Sequence, residues 1–386
     1  MAPHENIQAL RPAPHVLTGD SDLTAQSAQS DPAAPAAPAF VKHGLISVMI
    51  LVMAVILCLG SAPATAAEES PPAAEQAADG QPLDLDSPLY RELFRELVEE
   101  HGFSRQQLRQ WFGEVTIQGR VLELMDSQWE AQPYHRYAAP LLSWWNVGNG
   151  RVLLERHAEL LDRIEAEFGV EREIIVAIWG IESNYGGNKG SFRIFRTMNT
   201  IFAAYPRRSE FYRRQLIDFL LICREAGLDP LEVRGSYGGA FGQAQFIPSS
   251  YRAYAVDFDG SGRRDILHSV PDVLASIASY LGHFGWQYGR PWYAELGDKL
   301  HDPRLEEAVG AGRQGVLPRE EIEAAQQVEL AAVADDRPLR IVGLEQKDGE
   351  YRYLAAYPNF QAITHWNNSY RYAMAVIELA EKLRAE

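Results

Sequence analysis

The chain of 386 residues carries 36 Lys and Arg against 52 Asp and Glu, a net charge of −16. That length buries a full core and allows more than one domain, and the acidic balance excludes the overall basic footprint of a nucleic-acid binder. Cys58 lies in an apolar run and Cys223 is alone in the rest of the chain, so no structural disulfide is expected.

Residues 1–40 are rich in Ala, Pro, Ser and Gln without an apolar period, so they cannot repay the entropy of ordering and are expected to be disordered. In 41–66, Lys42 and His43 precede an apolar run from Gly44 to Gly60 and small residues ending Ala64-Thr-Ala66, the order of a signal peptide. Its distance from Met1 leaves two readings: a true start downstream, or an uncleaved membrane anchor whose apolar length is near the lower limit for spanning. Val55-Ile-Leu-Cys58 only loosely matches a lipidation site, because Leu57 stands where a small residue is expected. Residues 67–87, again rich in Ala, Pro, Glu and Gln, read as a linker.

The folded body is expected from residue 88. Leu89 to His101, Arg105 to Trp111, Val121 to Gln132 and Val152 to Phe168 have helical spacing, with Gly102, Gly113, Gly119 and Gly148 as punctuation, so 88–168 is predicted to be a helical domain. Residues 169–295 are assigned to a second segment of the body, its core. A charged helical stretch runs from Gly297 to Gln326, and alternating residues flank Lys347-Asp-Gly349, which predicts a small antiparallel unit within an insertion at 296–356. A helix from Ser369 to Leu383 closes the body, and 357–386 is assigned back to the core. The fold class is mainly α, with a small antiparallel β part.

Two windows carry chemistry. In Ile174-Ile-Val-Ala-Ile-Trp-Gly-Ile-Glu182-Ser-Asn-Tyr-Gly-Gly187, Ile175, Ile178 and Glu182 fall at i, i+3 and i+7, which puts the carboxylate on the buried face at the end of an apolar helix. Burial there raises its pKa, the property a general acid needs near neutral pH; a buried Glu that pairs with a neighbouring helix is the alternative. The second window, Arg234-Gly-Ser-Tyr-Gly-Gly-Ala-Phe-Gly-Gln-Ala-Gln-Phe-Ile-Pro-Ser-Ser250, sets Ser236, Tyr237, Gln243 and Gln245 among glycines. Such a loop lets backbone approach a ligand while hydroxyls and amides supply polar contacts, although a tight structural turn has the same composition.

A third pattern concerns metal. Asp257, Asp259, Ser261 and Asp265 occupy positions 1, 3, 5 and 9 of a calcium-type loop, with Arg263 at the carbonyl position and Gly262 at the sharp turn. His268 stands where the bidentate Glu is expected at position 12. An Asx-rich turn that closes on itself without metal is the alternative.

Taken together, Ile-Trp-Gly-Ile-Glu-Ser-Asn-Tyr-Gly and Gly-Ser-Tyr-Gly-Gly-Ala-Phe-Gly-Gln-Ala-Gln-Phe-Ile-Pro-Ser-Ser-Tyr resemble the membrane-bound lytic murein transglycosylase B family. Further matches lie at Ala255 to Asp265, Gly285-Trp286, Asn359-Phe360 and Asn367 through Val376, so the resemblance runs from about residue 88 onward. It implies a lysozyme-like core that cleaves the β-1,4 bond between N-acetylmuramic acid and N-acetylglucosamine, with peptidoglycan strands as partner and Glu182 as the single acid/base. An ordinary glycosidase needs two carboxylates across the scissile bond, and only Glu182 is a convincing candidate. The family's chemistry removes that need, because the C6 hydroxyl of muramic acid attacks and leaves a 1,6-anhydromuramyl end.

The resemblance further implies substrate contacts at Ser236 and Gln245, and cleft tyrosines at Tyr137, Tyr280 and Tyr372. At Trp366-Asn367 the family usually has Tyr-Asn; Trp366 keeps a face to stack on a sugar but lacks the phenol hydroxyl. The family's longer metal loop is closed by a later Asp, here Asp272, which implies a structural calcium and no catalytic cofactor. A hydrolysing muramidase and a non-catalytic wall-binding protein are the competing readings. The expected location is the periplasm, either soluble or membrane-associated through the N-terminal segment.

Overall fold

Ser87, Ser104 and Ser143 each accept a backbone N–H with the side-chain oxygen and so start helices α1 (Pro88–Glu99), α2 (Arg105–Gly113) and α5 (Trp144–Arg156). Between them lie α3 (Gly119–Asp126) and α4 (Tyr134–Leu141). The computed structural model describes residues 78–126, 132–333 and 337–385, all within one compact unit. The segments expected to be disordered (1–40) and to direct export (41–66), and most of the expected linker (67–87), therefore lie outside the described residues. No described helix is long and apolar enough to cross a membrane.

α1 buries Tyr90, Leu93, Phe94 and Leu97, the i, i+3, i+4, i+7 stripe its sequence predicts. The next stretch differs from expectation. Gly148 does not end an element: it sits with Gly150 inside α5, which runs on to Arg156, and the chain breaks at His157 before α6 (Ala158–Phe168). The reason is packing. A Cβ on Gly150 would meet Leu383 at 2.5 Å and the Tyr185 hydroxyl at 2.6 Å, so this glycine is kept where two helices and a phenol converge.

Helix α7 (Arg172–Ser183) is the axis of the molecule, with every residue from Ile174 to Ser183 buried. After it come β1 (Phe192–Arg193), α8 (Ile194–Ala204), α9 (Ser209–Ala226), β2 (Arg234–Gly235), α10 (Pro248–Tyr254) and α11 (Val270–His283). β1 and β2 pair antiparallel and tie the glycine-rich loop to the turn that leaves α7. One apolar cluster runs from Tyr90 to Leu383, so residues 88–168 and 169–295 share a single core.

The small β part contains more than the predicted hairpin. β5 (Leu339–Glu345) and β6 (Tyr351–Ala356) flank Lys347-Asp-Gly349 as the alternation predicts, with Asp348 at φ 60. β3 (Tyr293–Gly297) and β4 (Val316–Leu317) extend this to a four-stranded sheet in the order β3-β6-β5-β4. The charged stretch supplies two helices, α12 (Pro303–Gly310) and α13 (Arg319–Gln326).

Alternation then decides what the sheet joins. Val342, Leu344, Leu354 and Ala356 belong to the main core, whereas Leu339, Ile341 and Ala355 face a second core with Leu305 and Ile322. The sheet is thus buried on both faces. The chain returns through α14 (Pro358–Trp366) and α15 (Tyr370–Arg384), which packs against α7.

Candidate active site

Glu182 is the penultimate residue of α7, 5% exposed. Past it, Asn184, Tyr185 and Gly186 all take positive φ, at 53, 57 and 82, and turn the chain sharply off the helix end. A tyrosine in that region is strained and needs outside support. Its hydroxyl donates to Asn146 O at 2.7 Å, and its ring fills the space beside Gly180, where a Cβ would come within 2.6 Å.

The C-terminal segment completes the site. Tyr372 Oη on α15 donates to Glu182 Oε1 at 2.6 Å, and Trp366 Nε1 at the end of α14 donates to the same oxygen at 2.9 Å. Burial disfavours the charged form and pushes the carboxyl up to about 8, while these two donors, which favour the carboxylate, pull the other way. At neutral pH the group therefore holds its proton, and it has two hydrogen bonds ready for the anion it would leave behind.

Although Trp366 lacks the phenol hydroxyl, its indole N–H supplies a hydrogen bond to Glu182. Its ring is held edge-on by Tyr280 at 4.7 Å and lies 5.1 Å from Phe246. Tyr280 in turn donates to His365 O at 2.6 Å, which fixes the turn that presents Trp366. Tyr137 is buried on α4, near enough to Tyr372 to be among the groups that disfavour its phenolate, although burial is the main cause.

The glycine-rich loop forms another wall. A Cβ on Gly235 would lie 2.1 Å from Ala240 O, so only glycine permits that fold-back. Ser236 Oγ accepts from Gly238 N at 3.2 Å and Ala240 N at 2.9 Å and staples the turn from inside. Tyr237, half-buried, packs against Phe192. Gln243 is engaged at both ends of its amide: Oε1 accepts from Trp179 Nε1 at 3.0 Å and Nε2 donates to Leu267 O at 3.3 Å.

Gln245 and Asn367 are different. Gln245, at φ 48, donates through Nε2 to Gly242 O and Lys189 O, while its buried Oε1 has no partner. Asn367, buried at the end of α14, likewise leaves Nδ2 unpaired. Such atoms cost free energy unless a ligand or water satisfies them.

Among the described residues no other carboxylate figures in the electrostatics of Glu182. The described buried acids are Glu171, Glu182 and Asp272. Glu171 lies eleven positions before Glu182 on the same chain segment, about 16 Å along the helix axis, and bonds to Trp286 Nε1 and Gly289 N. Paired catalytic carboxylates stand about 5 to 9.5 Å apart.

Asp272 belongs to the predicted metal loop. Its oxygens accept from Phe258 N, Asp259 N and Asp265 N at 2.8, 3.2 and 2.7 Å. Oxygens of Asp257, Asp259 and Asp272 lie within 4.8 Å of one another, a hard-donor cluster suited to calcium. Asp265 turns away to cap Leu267 N and His268 N, and Ser261 Oγ donates to Arg263 O at 3.4 Å.

Comparison with known proteins agrees with this geometry. Residues 87–381 match the model of the transglycosylase SLT domain. The chain belongs to that family. It is 33% identical over 307 residues to the membrane-bound lytic murein transglycosylase B of Escherichia coli K12, covering 76% of this chain and 82% of the relative. The Escherichia coli lytic transglycosylase Slt35 in complex with calcium superposes with a TM-score of 0.70 at 31% identity, over 79% of this chain and 96% of that one. SltB3 of Pseudomonas aeruginosa in complex with NAG-NAM-pentapeptide gives 0.65 at 32% identity, over 77% and 79%. The chain is accordingly a lytic transglycosylase of peptidoglycan, with the lysozyme-like, mainly helical architecture of its family.

Proposed function

We propose that Glu182 is the single acid/base of this transglycosylase. The reading rests above all on one observation: a buried carboxyl at a helix end, raised to about 8, with two donors on one oxygen. Protonated Glu182 gives its proton to the glycosidic oxygen between N-acetylmuramic acid and N-acetylglucosamine as that C–O bond breaks. The carboxylate so formed is held by Tyr372 and Trp366. It then takes the proton from the muramic C6 hydroxyl as that oxygen bonds to C1, closing a 1,6-anhydro ring and restoring the acid.

Unpaired Gln245 Oε1 and Asn367 Nδ2 complement the N–H and C=O of an acetamido group, and Ser236 retains a hydroxyl proton to donate. Tyr137 and Tyr280 act by holding Tyr372 and Trp366, Gln243 by tying the loop to α7, and Tyr237 as a rim contact. A hydrolysing muramidase has less support, because water activation requires a paired carboxylate and none among the described residues figures in the electrostatics of Glu182.

Asp257, Asp259 and Asp272 would hold a calcium ion, with Ser261, Arg263 and Asp265 shaping the loop; the ion would offset their mutual repulsion and takes no part in the chemistry. Residues 41–66 would direct export to the periplasm, and 296–356 form an insertion on the core. Product analysis by mass spectrometry tests the central claim: wild type yields anhydromuramyl ends and Glu182→Gln yields no cleavage. Reducing muramic ends from wild type, or cleavage by the variant, overturns it.

A further inference from the structure

The outer face of α5 carries a feature that the catalytic cycle does not use. Trp144 is 85% exposed and Trp145 40% exposed, side by side at the start of the helix. An aromatic of this size normally buries most of its area, and exposed apolar patches of this kind mark interaction sites. Gly148 and Val152 follow on the same face at helical spacing, both exposed, and a Cβ on Gly148 would touch nothing within 4 Å. Trp144, Trp145, Gly148 and Val152 are uncharged, and the exposed Glu155 and Arg156 follow three and four residues past Val152. Arg151, between Gly148 and Val152, donates to Lys382 O.

Its position connects it with the cleft. Trp145 lies 6.4 Å, ring to ring, from Tyr185, which is three residues past Glu182. α15 begins at the same end, since Tyr372 in its first turn reaches Glu182. α4, which carries Tyr137, leads through Ser143 directly into the tryptophans. Asn184 and Asn188, in the turn around Tyr185, are exposed.

We propose that Trp144 and Trp145 form an aromatic platform that takes a neutral sugar ring of the same glycan strand, beyond the rings gripped around Glu182. Indole faces stack on the C–H face of a pyranose, the neighbouring amides meet its hydroxyls, and the platform lengthens the stretch of glycan that one enzyme molecule holds. A membrane surface fits less well, because the exposed Arg156 at the end of the stripe is offset by the adjacent exposed Glu155, and a chain of net charge −16 is repelled by anionic headgroups.

The inference rests on the glycan-cleaving reading of the cleft, and its test separates the two. Trp144→Ala, whose side chain supports nothing in the core, and Trp144→Ala/Trp145→Ala are made in the full chain and in the Glu182→Gln background. Sedimentation with insoluble peptidoglycan reads binding without cleavage, and the KM ratio between long strands and a tetrasaccharide reads reach. Binding should weaken about five-fold for the single and about twenty-five-fold for the double variant, with a matching rise in the KM ratio and partial rescue by Trp144→Tyr. Unchanged peptidoglycan binding and KM ratio, or a loss seen instead on phosphatidylglycerol vesicles, overturns the platform. Cleavage by Glu182→Gln would sink the catalytic reading, while the KM ratio between long strands and a tetrasaccharide would still read the platform.

Discussion

Replacing Trp366 by Phe removes one donor from Glu182 Oε1 and keeps an aromatic ring between Phe246 and Tyr280. A hydrogen bond to a charged group contributes about 1.5 to 3 kcal/mol, and each 1.36 kcal/mol is about one pH unit in a proton equilibrium. The lost bond favoured the carboxylate, so the variant holds its proton more tightly. In wild type the general acid is lost as pH rises through about 8, which sets the alkaline limb of kcat/KM. In Trp366→Phe that limb should move up by about one pH unit. The same deficit falls on the step that creates the anion, so the plateau rate should drop about ten-fold. Release of soluble fragments from purified peptidoglycan, followed across the alkaline range, measures both. A limb that stays where wild type has it would refute the reasoning, because the indole bond would then not be felt by the carboxyl.

Glu182 should also cost stability with a definite pH signature. Its folded carboxyl titrates near 8 against 4.5 in the open chain, so the native state binds the extra proton between those values. Stability is then fully present below 4.5 and declines as pH rises through 8, by up to about 5 kcal/mol. Urea unfolding should find Glu182→Gln more stable than wild type at alkaline pH and equal to it in acid; a constant offset at both would contradict this. Gly180→Ala drives a methyl to within 2.6 Å of the Tyr185 ring and should destabilise by about 1 to 3 kcal/mol, with activity falling alongside, as thermal melts and turnover will show. Asp272→Ala strands three backbone donors and should cost about 3 kcal/mol or more; an unchanged melting temperature would refute its role as the loop's anchor.

The burial of Glu182 was legible from spacing, because i, i+3, i+7 geometry and an apolar run suffice to bury a carboxylate, whereas its role came only from the resemblance. Its partners were not legible. Trp366 and Tyr372 lie 184 and 190 residues away, and a local pattern does not carry which buried donor meets which acceptor over such a separation. The resemblance brought Trp366 to notice as a departure, but an indole N–H can replace a phenol only if the ring sits at the right depth, which α14 and Tyr280 decide. Gln243 shows the opposite error. Its composition reads like that of Gln245, yet Trp179 and Leu267 take up its amide and leave only Gln245 with an oxygen to offer. The hairpin at 347–349 was readable because an Asp-Gly turn is local chemistry. The outer strands were not, since β3 and β4 are short and acquire their pairing from β6 and β5.

The dependence of Glu182 on α14 and α15 has a bearing on synthesis. The helix that bears the acid is made long before the residues that bond it, so a growing chain carries the carboxyl without its indole and phenol. A chain that ends before α14 would lack both donors that stabilise the Glu182 carboxylate, so the acid's two charge states are balanced only in a chain that carries its last two helices.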